Sequence, residues 1–182
     1  MSERAVSEMK RAEHLIDVTL KYTRTAEVIK NVVKKLIDIY NVAIEDALIS
    51  AKEKGLLEEV PKSPKERARE LIKLMERSEF IMQHISFYFL LKNVDKAYYN
   101  KEQEFRKNVT LIVPLNEKDQ KIVDKILNQY KIDSLEKGKD YKGGVNIDVL
   151  KIFYAFTGEF IKFIHSYITG EPMEDSGDSY DD

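Results

Sequence analysis

From Thr25 to Lys54 the chain carries apolar residues at helical spacing over a longer stretch than anywhere else. Val28, Val32, Leu36, Ile39, Ala43, Ala47 and Ala51 fall three or four apart, and Ile29, Val33, Ile37, Tyr40, Ile44 and Leu48 widen the stripe. Lys30, Lys34, Lys35, Asp38, Glu45 and Asp46 lie largely outside it. The spacing predicts one amphipathic helix of about 29 residues, about 44 Å long at 1.5 Å per residue, which Gly55 ends. Upstream, Ala5 to Tyr22 is also helical in pattern, with Leu15, Ile16, Val18 and Leu20 apolar. Whether these are one helix or two turns on Thr23-Arg24-Thr25, where threonines compete for backbone hydrogen bonds and can kink or cap the junction.

Later boundaries are written in capping residues. Ser63-Pro64-Lys65-Glu66 supplies an N-cap, a proline at N1 and an acid at N3. The helix it starts carries Ala68, Leu71, Ile72 and Met75, and runs on with a kink into Phe80–Lys96. The stretch FIMQHISFYFLL is apolar nearly all round, so it belongs at the centre of the fold. Asn116 with Asp119 opens a helix reaching Tyr130, and Asn146 opens a last one that Gly170 stops. Between them KIDSLEKGKDYKGG reads as a polar loop. From Glu102 to Val113 the β-branched residues favour extension, but a lone strand is not stable, and without a partner strand the segment is expected to be helical. The expectation is an all-α, up-and-down bundle of five or six helices with a long amphipathic N-terminal helix or helix pair. Residues 1–170 form one domain and 171–182 a disordered acidic tail.

Composition narrows the chemistry. There is no cysteine among the 182 residues, so disulfides, iron–sulfur clusters and thiolate zinc sites are excluded. No apolar run nears the roughly 20 residues that span a bilayer, and MSERAVSEMKRAEH lacks a signal-peptide core, so a cytoplasmic protein with no membrane partner is expected. The net charge of −2 is uneven: the six acids of the tail leave residues 1–170 with 30 basic and 26 acidic residues, a net of +4. That is only mildly basic for a nucleic-acid binder. Lys, Glu and Ile are favoured, a bias seen in heat-adapted proteins.

Catalytic motifs are sparse. His14 and Asp17 share a helix face, but no Glu-x-x-His occurs, and His165 stands out of phase with Glu159, so neither a metal nor a cofactor is expected. Gly-x-Ser-x-Gly is absent, and Lys142-Gly143-Gly144 has no following Lys-Ser/Thr. The basic run Lys62, Lys65, Arg67, Arg69, Lys73, Arg77 is interleaved with Glu66, Glu70 and Glu76, as on a solvated helix face.

One pair stands apart. Arg77 and His84 are seven residues apart, two helical turns, a spacing that lets both point the same way. An Arg-x6-His motif in an all-α bundle with long first helices resembles the HEPN family. The resemblance implies a dimer whose motifs meet in a cleft, where His84 acts in metal-independent RNA cleavage and Arg77 holds phosphate or transition-state charge. Ser78 stands where family motifs usually carry Asn, Asp or His after the arginine. His84 lies among Ile81, Met82, Ile85, Phe87 and Phe89, which reads equally as a core histidine. Arg106 heads a second segment of that kind, Glu104-Phe105-Arg106-Lys107-Asn108. The positions for a histidine, Leu111, Ile112 and Val113, are aliphatic there, so Arg106 marks either a degenerate motif with a binding role or a simple ion pair with Glu102. The balance favours a non-catalytic dimeric interaction module, degenerate-HEPN-like and tied to RNA or nucleotide pathways, with a protein or RNA as partner. The alternative is a ribonuclease using Arg77 and His84.

Overall fold

The computed structural model describes residues 3–130 and 144–173. Most of the expected polar loop, residues 131–143, and most of the expected disordered tail, residues 174–182, lie outside these. Six helices form among the described residues, and the class is all-α. α1 (Glu3–His14) continues without a break through a π-helical turn (Leu15–Thr19) into a last α turn (Leu20–Tyr22). The wider i→i+5 turn slows the rotation of the stripe, and Ala5, Ala12, Ile16 and Leu20 are all buried.

α2 (Ala26–Glu53) is the axle. It runs 28 residues and packs against α1, α3 (Pro64–Leu74), α4 (Glu79–Lys96) and α6 (Ile147–Thr169). The 12 apolar residues of its expected stripe from Val28 to Leu48, and Ala51, are all buried. Contact on several sides explains why the stripe had to be so wide. Thr25 is extended (φ −120°, ψ 149°) and its hydroxyl accepts from the Val28 N–H at 3.3 Å, so the N-terminal region is two helices. The other caps stand where the sequence placed them: Ser63, Asn116 and Asn146 each accept a backbone N–H three residues on. Gly55 and Gly170, at φ 75° and 78°, take the left-handed turns that end α2 and α6.

α3 and α4 are separate helices rather than one kinked helix. Glu76 and Arg77 both take left-handed backbone (φ 52° and 55°), and Ser78 caps α4 by accepting from the Ile81 N–H.

The segment 102–113 is not a helix. β1 (Asn100–Glu102) and β2 (Thr110–Ile112) pair antiparallel, with Lys101 opposite Leu111, and β3 (Gly144–Val145) adds to the other side of β2, with Leu111 opposite Val145. The strand has two partners, one of them more than thirty residues away beyond α5 (Glu117–Gln129). Val109, Leu111 and Val113 are buried while Thr110 and Ile112 are half-exposed, the period-2 alternation of a half-buried strand. Gly144 fits because a Cβ there would come within 3.3 Å of the Thr110 methyl.

The turn of the β1–β2 hairpin also caps the axle. The Ala26 N–H donates to Glu104 Oε1 at 3.3 Å, so a carboxylate 78 residues away sits at the positive end of α2. Replacing Thr25 by Ala should cost about 1 kcal/mol of stability, and adding Glu104→Ala should cost more still, because both acceptors at that end are then gone. Urea titration at neutral pH checks this; a double variant as stable as the wild type would contradict it.

Candidate functional site

His84 lies one and a half turns into α4, phased inward with Ile81, Ile85 and Tyr88. It is wholly buried. Its ring stacks on Phe156 of α6 (centroids 4.0 Å apart, planes 16° apart) and touches Phe80 at 4.5 Å and Phe160 at 5.2 Å. Its Nδ1 stands 2.8 Å from the hydroxyl of Tyr40 on α2, which is also buried and lies 4.8 Å from Phe160, centroid to centroid. With Tyr40 donating, the proton of the imidazole sits on Nε2; in the other tautomer Nε2 is a bare lone pair. Either way Nε2 is buried without a hydrogen-bond partner among the described residues.

Burial decides the charge. Desolvation lowers the His84 pKa from 6.5 to about 3, so the ring is neutral at pH 7. Burial likewise pushes the Tyr40 phenol well up, with the Thr157 hydroxyl acting the other way. A general acid or base must exchange protons with a bound substrate at working pH. A neutral, enclosed imidazole bonded to a neutral phenol joins α4 to α2.

Arg77 is elsewhere. It precedes the cap of α4 in the left-handed turn, so it does not share a helix face with His84. It is exposed and lines an open groove of about 350 Å³ with Met82, Gln83 and Ser86 of α4 and Ile122 and Lys125 of α5. These α4 residues face away from His84, so the structure does not bring the two motif residues together.

Arg106 stands exposed in the turn of the hairpin, where its N–H donates to the Gln103 carbonyl at 3.0 Å. The expected ion pair with Glu102 does not form, since a hairpin and not a helical turn joins the two residues. This turn is strained: Gln103 and Phe105 hold φ 56° and 62°, unusual for side-chain-bearing residues and costing about 1–3 kcal/mol each. The strain is held by two contacts to the α1–α2 junction, Glu104 on the Ala26 N–H and the Phe105 N–H on the Arg24 carbonyl at 2.6 Å. Phe105 is left 77% exposed, and Tyr22, two residues before Arg24, is 78% exposed. Phe105 as the lone aromatic among polar residues in EQEFRKN was the signal available for this; the junction contacts had no local signal.

A second groove, of about 530 Å³, runs between α1 and α2. Arg4, Ser7, Glu8 and Arg11 form one wall and Asp38, Asn41, Val42 and Glu45 the other, each set at i, i+3, i+4, i+7. Glu8 is held by Arg11 at 2.6 Å and by Lys35 at 3.2 Å. Among the described residues no group of three or more His, Asp or Glu is placed to hold a metal ion, and no helix is long and apolar enough to cross a membrane.

Comparison with known protein families, with curated proteins and with solved structures gives no match to this chain. The functional reading therefore rests on the geometry above.

The folded state holds His84 neutral while the unfolded chain protonates it near pH 6.5. Its contribution is present above that pH and lost as pH falls from 6.5 towards 3. Stability should therefore drop on acidification by up to about 1.4 kcal/mol per pH unit from this one group. A Tyr40→Phe/His84→Phe variant, which removes both polar groups together, should show a flatter dependence over pH 7 to 5. Urea titrations of both proteins measure this, and equal slopes would contradict the assignment.

Proposed function

We propose that the chain is a non-catalytic interaction module that acts as a homodimer, and that Arg77 and His84 are a degenerate HEPN-like motif rather than a cleavage site. The observation that carries the reading is the enclosure of His84: buried, bonded to Tyr40 and kept neutral by desolvation. Arg77, on the solvent side of α4, can still meet an anion but has no imidazole beside it. The module reading leaves the bundle as a rigid support, with recognition on its grooves and its hairpin.

The α1–α2 groove supports self-association. Arg4 and Arg11 are seven apart on one wall, and Asp38 and Glu45 are seven apart on the other. Under a two-fold axis the arginines of each copy can face the acids of the other, with each contact made twice. A partner beyond the dimer, whether a protein or an RNA, would then meet the faces left outside it.

Two measurements test this. Single-stranded RNA incubated with the protein in a chelator should remain intact, with wild type and His84→Ala alike. Metal-free cleavage lost in a folded His84→Ala variant would restore the ribonuclease reading. Light scattering at micromolar concentration should give twice the 21.2 kDa chain mass. Arg4→Glu/Arg11→Glu should return the monomer, and adding Asp38→Arg/Glu45→Arg should restore the dimer. A wild-type monomer would contradict the association.

A further inference from the structure

We infer that the hairpin turn and the α1–α2 junction together form a binding site for single-stranded nucleic acid, a surface separate from the Arg77–His84 motif. The inference stands beside the proposed function and does not depend on it. The observation is the meeting, at one end of the bundle, of two exposed rings and a set of cations. The Phe105 N–H to Arg24 carbonyl bond and the Glu104 bond to Ala26 fix the turn against the junction. That contact brings Phe105 and Tyr22, each more than three-quarters exposed, to the same end.

The cations come from both segments. Arg106 and Lys107 are exposed in the turn, Lys101 on β1 is exposed with its Nζ 3.7 Å from Glu104 Oε1, and Lys21 and Arg24 flank Tyr22. Glu104, the acid nearest Phe105, is turned inward: its Oε1 accepts from Ala26, and its Oε2 is buried. Within these segments Glu27 and Glu102 are the exposed acids, against Lys21, Arg24, Arg106 and Lys107, so positive charge prevails. The surface continues one turn along α2, where Lys30 Nζ lies 5.0 Å from the centre of the Tyr99 ring.

Exposed rings interleaved with cations match the two requirements of a single strand. Its unpaired bases offer flat faces that stack on aromatic side chains, and its phosphates track a positive surface. A duplex hides those faces within its own stack, so the rings select for single strands while the cations alone would not. The backbone supports a dedicated role for the ring. Phe105 is held at φ 62°, where few non-glycine residues sit, and that conformation leaves its side chain in water. Both RNA and DNA single strands carry this chemistry.

Fluorescence anisotropy with labelled oligo(U), oligo(dT) and a duplex, each about 15 units long, tests the site. The wild type should bind both single strands more tightly than the duplex, and affinity should fall as salt rises from about 50 to 200 mM. Phe105→Asn removes the ring and keeps a residue that accepts left-handed backbone; it should weaken binding roughly fivefold or more. Tyr22→Ala, on the other segment, should act in the same direction. Arg106→Ala/Lys107→Ala should weaken binding and reduce the salt slope by about 1.4, two phosphate contacts at 0.7 each. All three variants change exposed side chains, so none should lower the thermal midpoint, and Phe105→Asn should raise it by relieving the left-handed strain. Tighter binding of oligo(U) assigns the site to RNA, and tighter binding of oligo(dT) assigns it to DNA. Equal binding of duplex and single strand, or unchanged affinity in both ring variants, would overturn the inference. So would absence of binding at about 100 µM protein. The oligo(dT) arm cannot be cut by a ribonuclease, so its outcome is read independently of whether His84 is catalytic.

Discussion

A single hydrogen bond, from Tyr40 on α2 to His84 on α4, sets the terms for the centre of this bundle. Two polar side chains taken fully out of water lose less when they meet each other, because an unpaired buried donor or acceptor costs about 1–3 kcal/mol, a cost that His84 Nε2 still carries. Together with the hydrogen bond that the Tyr88 hydroxyl donates to Asn41 Oδ1 one turn further on, the Tyr40–His84 bond fixes both the rotation and the height of α4 against α2. α6 completes the arrangement by laying Phe156 flat on the imidazole and Phe160 beside both rings. Apolar packing alone would accept several registers of such smooth helices. Paired polar contacts among the rings discriminate between them.

The ends of the bundle depend on a different economy. Each helix start must satisfy N–H groups that have no partner within the helix. Thr25, Ser63, Ser78, Asn116 and Asn146 do this locally, whereas α2 also takes Glu104 from the far hairpin. That long-range cap ties the small sheet to the axle and forces the turn into strained backbone at Gln103 and Phe105. The exposed rings and cations of this end are thus placed by the same contact that finishes the longest helix. Rigid helices carry the stability, and the irregular connections carry the accessible chemistry.

Much of this is readable in the sequence wherever the cause is local. The stripe from Val28 to Ala51, the caps at Thr25, Ser63, Asn116 and Asn146, and the stops at Gly55 and Gly170 each depend on residues within one turn. The segment 102–113 reads as a helix in the sequence because its strand partners are three residues at 100–102 and two at 144–145, too short to register as strands by themselves. The alternation Val109, Leu111, Val113 against Thr110 and Ile112 did carry the strand signal. Arg77 and His84 share a helix face only if the helix is continuous, and the left-handed turn at Glu76–Arg77 removes that premise. No local pattern announced the turn, since neither residue is Gly or Asn. Whether His84 faced a cleft or the core was undetermined by spacing; Tyr40, 44 residues away, decides it.

A nitrogen-detected NMR titration of the imidazole groups, with His84→Gln used to assign its signals, tests most directly whether His84 is a structural residue of the core. His84 should remain a single neutral tautomer throughout pH 8 to 5, with burial holding its pKa near 3. A His84 ring that titrates near 6.5 with its proton in free exchange with solvent would place it in an open site, and would contradict a bundle centred on the Tyr40–His84 bond.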